Sequence, residues 1–153
     1  MSVEEIKNFI QVNERLGTGG QPTEDQVRDV AGAGYEAVVN LGLLGQGYSL
    51  PDEAGLVQSL GLGYRHIPVD FQGPTQDDFD AFVGAMDEVG GKAVFVHCAA
   101  NYRVACFVGL YGEARLGWTR EQADTHIARI WQPDEIWSPF IDEARKRIDE
   151  AQL

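Results

Sequence analysis

The run His97-Cys98-Ala99-Ala100-Asn101-Tyr102-Arg103 brings an imidazole, a thiol and a guanidinium together in one short stretch. Before it, Lys92-Ala93-Val94-Phe95-Val96-His97 is the most strand-like segment of the chain, and an apolar helical stretch to Leu116 follows. A cysteine at a strand-to-helix turn meets the free amides and the positive dipole end of the helix, where open α/β sheets bind anions. Free cysteine titrates at about 8.5, and a helix mouth beside arginine brings it to roughly 3.5–7.5, so Cys98 is expected to react as a thiolate at neutral pH. Arg103 adds a permanently charged, planar fork of donors suited to an oxyanion. An isolated cysteine is more often just a small buried residue. The combination of strand, His-Cys pair, small-residue loop and arginine reads as a site.

The elements that must carry this loop alternate along the chain. An extended segment lies between Asn13 and Gly20, and Gly20-Gln21-Pro22-Thr23 turns the chain. Thr23 with Gln26 forms a capping-box pattern that opens a helix to about Ala33, stopped by Gly34. Glu36 to Leu41 reads as a buried strand, followed by a glycine-rich loop. Ser49 and Pro51 announce a helix through Leu60, closed by Gly61, and Tyr64 to Val69 reads as the next strand. Thr75 caps a helix from about Gln76 to Val89, on which Phe79, Phe82, Val83 and Met86 fall at helical spacing. Two helices close the chain, one capped by Thr119 with Gln122 and one from about Glu135 to Ala151. The pattern predicts an α/β fold with a mostly parallel central sheet of four to five strands flanked by helices.

A length of 153 residues fits one domain over 1–153, and 44% hydrophobic with 10% aromatic residues can build a core without disulfides or metals. The formal net charge of −12 repels polyanions, so neither nucleic acid nor an anionic membrane is an expected partner. Two cysteines are too few for a disulfide framework, which makes a reducing compartment the default. Met1 to Ile6 lacks the basic-then-apolar pattern of a secretion signal, and no apolar run reaches the roughly 18 residues of a membrane helix. The expectation is a soluble cytoplasmic protein, with its oligomeric state left open.

The His97–Arg103 loop, with Gly19-Gly20-Gln21-Pro22-Thr23, the segment Gly34 to Leu41 and His66-Ile67-Pro68-Val69, resembles the cysteine-dependent protein tyrosine phosphatase superfamily. The similarity is to the small bacterial branch related to dual-specificity phosphatases, also found fused in beta-lactamase hydrolase-like proteins. The resemblance implies that Cys98 attacks phosphorus, that the loop amides from Ala99 through Ala100, Asn101 and Tyr102 to Arg103 hold the non-bridging oxygens, and that Arg103 clamps them. It implies that His97 orients the loop rather than reacting. An upstream aspartate would protonate the leaving oxygen and later activate water. Asp70 occupies the expected kind of position, while Asp77, Asp78 and Asp80 are rivals more simply explained as acids in a helix's first turns. No metal or organic cofactor is implied. The partner would be a small phosphorylated molecule or a phosphoprotein, with an anion such as phosphate or sulfate in the loop.

The loop departs from the family pattern in length, with four residues between cysteine and arginine where five are usual. One residue contributes up to about 3.3–3.6 Å of chain, so the ring of amides changes width. Asn101 stands where glycine is common and tolerates the left-handed backbone such a loop demands. Val104 and Ala105 follow the arginine where a hydroxyl residue is usual. Two further readings stand beside hydrolysis: an anion-binding pseudophosphatase without turnover, and rhodanese-like sulfur or persulfide transfer, whose loops often have this shorter length. Of the remaining residues, Cys106 is expected in the core rather than as a resolving thiol, His66 in a structural hydrogen bond and His126 in helix packing. Three histidines without ligand spacing predict no zinc site. Gly42, Gly45 and Gly47 lack the lysine of a nucleotide loop. Trp118, Trp131, Trp137 and Phe140 are expected to pack the last helices onto the sheet, and Tyr102 to wall or block the pocket.

Overall fold

Three capping boxes set the start of three helices. Thr23, Thr75 and Thr119 each accept a hydrogen bond from the amide three residues on, and Gln26, Asp78 and Gln122 return it to the cap amide. Each exchange satisfies two orphan donors and is worth about 1 kcal/mol. The structure, a computed structural model, describes residues 2–152. The helices are α1 (Glu24–Gly32), α2 (Glu53–Ser59), α3 (Gln76–Val89), α4 (Tyr102–Arg115), α5 (Arg120–Ala128) and α6 (Trp137–Ala151), preceded by a 3-10 turn at Val3–Glu5.

Five strands, β1 (Ile10–Asn13), β2 (Leu16–Gly19), β3 (Ala37–Asn40), β4 (Gly63–His66) and β5 (Val94–His97), form one sheet in the order β1-β2-β5-β3-β4. Only the β1–β2 pair is antiparallel. The expected α/β class and mostly parallel sheet are therefore present, with an additional hairpin strand at Ile10-Gln11-Val12-Asn13, a short apolar–polar alternation not among the expected strands. Two boundaries also move. Helix α2 starts at Glu53, after Ser49 and Pro51, because the Ser49 hydroxyl is engaged with Leu43 O and Gln46 N–H while Asp52 caps the amide of Gly55. Strand β4 ends at His66 instead of Val69, although Ile67 and Val69 still donate to Asn40 O and Leu41 O.

Alternation along β5 sends its side chains to two separate cores. Val94, Val96 and Cys98 face α3, α4 and α6, among Phe79, Phe82, Phe107, Trp137 and Phe140. Phe95 faces α1 and α2, among Val27, Val30, Val38 and Val57. His97 follows Phe95 by two residues and stacks on its ring at 6.1 Å, so it lies on the α1–α2 side. Helix α4 is buried nearly all round, from Arg103 to Leu110, because β5 feeds it from the centre of the sheet. The loop between β5 and α4 thus emerges between the ends of β2 and β3. Among the described residues, no helix is long and apolar enough to cross a membrane.

Candidate active site

Every carbonyl from Cys98 to Tyr102 is engaged by a donor outside the loop's inner side. Cys98 O accepts from His97 Nδ1 at 3.2 Å, Ala99 O from the Gln21 amide at 2.9 Å, and Ala100 O from Asn8 Nδ2 at 2.8 Å. Asn101 O accepts from the Ala105 amide at 2.8 Å and Tyr102 O from Trp131 Nε1 at 3.0 Å. A trans peptide points its N–H opposite its C=O, so holding these carbonyls turns the amides of residues 99–103 the other way. No acceptor among the described residues takes the amides of Ala99, Ala100, Tyr102 or Arg103. The result is a set of free donors at the start of α4, where the helix dipole adds positive potential.

Asn101 makes the turn that this requires. It adopts the left-handed region at φ +71°, and its buried side chain donates to Asn8 O at 2.8 Å and Thr18 Oγ1 at 3.2 Å. Asn8, itself at φ +52°, returns a bond to Ala100 O, so two asparagines clamp the loop to the chain before β1. Gly20 lies close against the same loop, paired with Ala100. A side chain there would meet Ala99 O at 2.6 Å.

Cys98 is 1% exposed, at the end of β5. Arg103, the second residue of α4, is 6% exposed and donates from Nη1 to Val69 O at 2.9 Å and from Nη2 to Tyr48 OH at 3.5 Å. Its guanidinium lies 6.0 Å from the Tyr48 ring and 5.9 Å from the Phe71 ring. No carboxylate among the described residues forms an ion pair with it. A permanent charge buried without a counter-ion is costly, and Arg145, by contrast, is paired with both Glu113 and Asp124.

Asp70 is exposed, one residue beyond the carbonyl that anchors Arg103, and its Oδ1 accepts from the Gln72 amide at 2.9 Å. Two of the rival acids have other partners, Asp78 in the α3 capping box and Asp80 with Arg147, and Asp77 lies in the first turn of α3. Tyr102 is stacked flat on Trp131 at 4.8 Å and 38% exposed, with Phe71 at 6.3 Å, so it forms one wall beside the loop. A cavity of about 640 Å³ meets the loop at Ala99 and is lined by Lys7, Gln21, Thr23, Glu24, Asp25, Arg28 and Tyr48.

His97 and Glu53 form a buried pair that sequence reading only half found. His97 Nε2 lies 2.6 Å from Glu53 Oε2, and Gln21 Nε2 donates to Glu53 Oε1 at 2.8 Å. Burial pushes the Glu53 carboxyl up, but the hydrogen bond and charge of His97, with the bonds from Gln21 and Tyr64, hold it below the ordinary carboxylate range. Nothing in the spacing around Glu53 distinguishes it from any acid in a helix's first turn. Cys106 is fully buried, and burial pushes its thiol well above the ordinary range, as befits a core residue. His66 Nε2 donates to Gly42 O at 2.7 Å, a loop-bracing bond. His126 is buried against Trp118, which packs over Gly112, while Trp137 and Phe140 fill the core beneath α4. Among the described residues no group of three or more His, Cys, Asp or Glu side chains is arranged to hold a metal ion.

The chain is similar to a DUF442 phosphatase-like protein from Shewanella putrefaciens CN-32, with 33% identity, a TM-score of 0.85 and 95% and 96% of the two chains covered. PTPMT1 in its complex with PI(5)P shares the fold at a TM-score of 0.80 and 19% identity, over 95% of this chain and 99% of that one. A beta-lactamase hydrolase-like protein of Xylella fastidiosa (strain Temecula1) is 32% identical over 105 residues, which is 67% of this chain and 24% of the relative. The chain thus spans about a quarter of the length of the curated relatives it matches. No family model matches the sequence. The fold, the loop between β5 and α4 and the full-length similarity to the Shewanella protein together place this chain in the DUF442 family of phosphatase-like proteins, with the fold of the protein tyrosine phosphatases.

Proposed function

We propose that this chain hydrolyses a phosphate monoester through a phospho-cysteine intermediate. The observation that carries the reading is the buried Arg103 guanidinium with no carboxylate partner among the described residues, beside a loop whose amides are free. Arginine in that setting is matched by a doubly charged tetrahedral anion held through two parallel hydrogen bonds. Cys98 Sγ attacks phosphorus, the sulfur–phosphorus bond forms, and the ester P–O bond breaks. The leaving oxygen takes its proton from the Asp70 carboxyl group. In the second step Asp70, now ionised, takes a proton from water as the water oxygen bonds to phosphorus, and inorganic phosphate leaves as the Cys98 thiolate is restored. The loop amides and Arg103 stabilise the charge that gathers on the non-bridging oxygens. The exposure of Asp70, next to the Arg103 anchor, and the prior engagement of Asp78 and Asp80 support its role as the acid.

The substrate is a small phosphorylated molecule whose leaving group occupies the cavity between Lys7, Arg28, Tyr48 and Ala99. The cavity volume suits a small ligand, and PTPMT1 has been seen in complex with PI(5)P. The test is a paired assay of wild type and Cys98→Ser: hydrolysis of an aryl phosphate, and in parallel cyanide-dependent sulfur transfer from thiosulfate. Wild-type phosphate release that the variant lacks is the expected result. Equal release by both proteins, or thiocyanate instead of phosphate, overturns the reading.

A further inference from the structure

The carboxylate of Glu53 reaches two consecutive carbonyls of the loop without touching either. One oxygen meets His97 Nε2 at 2.6 Å, and the other end of that ring meets Cys98 O at 3.2 Å. The second oxygen accepts from Gln21 Nε2 at 2.8 Å, and the backbone amide of the same glutamine holds Ala99 O at 2.9 Å. Glu53 is 3% exposed and His97 fully buried, so neither bond competes with solvent. A carbonyl only accepts, so His97 Nδ1 donates to Cys98 O, and Nε2 is the ring nitrogen that meets the Glu53 carboxylate. The remaining group facing this carboxylate, Tyr64, is neutral and accepts from Asn40 Nδ2 at 3.1 Å.

We propose that Glu53 is a positioning residue of the anion loop: through His97 and Gln21 it fixes the peptides after Cys98 and Ala99 with their N–H groups turned toward the bound anion. This rests on the reading of the loop as a phosphate site. The arrangement explains a buried acid that packs no core and pairs with no arginine. It also explains why the support comes from α2, on the face of the sheet opposite Cys98: the alternation of β5 puts His97 there, and among the described residues Glu53 is the acid paired with it.

The test compares wild type, Glu53→Gln, Glu53→Leu and Gln21→Ala in the full chain, at a temperature well below each thermal midpoint. Affinity for inorganic phosphate is read by calorimetry, and kcat and KM for an aryl phosphate are measured alongside. The glutamine variant keeps the volume and one acceptor but loses the charge, so phosphate affinity and kcat are each expected to fall about tenfold. The leucine variant falls further, and Gln21→Ala, which loses one arm, falls about threefold. A purely structural role lowers the midpoint and leaves the affinity of folded molecules unchanged. Glu53→Gln and Gln21→Ala both within twofold of wild type in affinity and kcat overturn the inference while the hydrolase reading stands. Phosphate binding without turnover in wild type overturns hydrolysis alone, because the affinities still decide the role of Glu53. Absence of both binding and turnover in wild type overturns both.

Discussion

Gly20→Ala adds one methyl group at the end of β2, and its cost can be worked from three backbone atoms. The new Cβ would lie 2.6 Å from Ala99 O, 3.1 Å from Ala100 Cα and 3.2 Å from Lys7 O. Restoring a contact of about 3.5 Å requires Ala99 O to retreat by about 0.9 Å, and no side-chain rotation can absorb that. Ala99 O is the acceptor of the Gln21 amide, and the peptide that carries it also carries the amide of Ala100. The displacement therefore passes directly into the anion loop. Overpacking of this kind costs about 1–3 kcal/mol of stability, and a misplacement near 1 Å at a reacting centre costs about 100-fold in rate. Urea unfolding and kcat/KM for an aryl phosphate, measured on the same preparation, are the assays. The expected result is a lowered midpoint with kcat/KM down about two orders of magnitude. A variant with wild-type stability and kcat/KM refutes the view that close backbone approach at Gly20 sets the loop.

Gly84→Ala is the opposite case: Gly84 sits inside α3 with open space around its missing Cβ, so the variant should gain about 0.5–1 kcal/mol in urea unfolding and keep its activity. Arg103→Lys keeps the charge but loses the fork and the bond to Val69 O, and phosphate affinity by calorimetry should fall about 10- to 100-fold; unchanged affinity removes Arg103 from the cradle. His126 gives a pH dependence. Burial, and then the nearby Arg129 charge, lower it to about 4 from an ordinary 6.5, so on acidification the unfolded chain takes up the proton first. Its contribution is full above pH 6.5 and is lost as pH falls toward 4, amounting to about 2 kcal/mol by pH 5. His126→Leu should therefore lose stability between pH 7 and pH 5 less steeply than wild type by that amount, and parallel curves count against the assignment.

Local signals were legible where a short range of residues decides the structure. Thr23, Thr75 and Thr119 announce their helices because the cap and its partner are three residues apart, and the strand before Cys98 is marked by an unbroken apolar run. The hairpin strand β1 is marked only by a four-residue apolar–polar alternation, because it is an edge with only Ile10 buried and its pairing is set by β2. Within the site, Cys98, Arg103 and the left-handed Asn101 follow from the loop itself. Asn8, Gln21, Tyr48 and Glu53 do not, since each reaches the loop or its flanking His97 and Arg103 across 44 or more residues, as in the 93-residue gap from Asn8 to Asn101 and the 44-residue gap from Glu53 to His97. A single carboxylate in a short helix carries no pattern until the sheet places it under β5.

The loop between β5 and α4 is held by Asn8, Gln21, Tyr48 and Val69, each from a different stretch of chain. The cradle therefore exists only when the segment before β1, the turn after β2, the loop after β3 and the loop after β4 are all docked at once. A ligand that binds it recognises the folded chain and nothing less, so occupancy is thermodynamically linked to global unfolding. An anion at one hundred times its dissociation constant would add about 2.7 kcal/mol to the unfolding free energy. A thermal melt across a panel of phosphorylated compounds would thus rank candidate substrates without requiring that any of them be turned over.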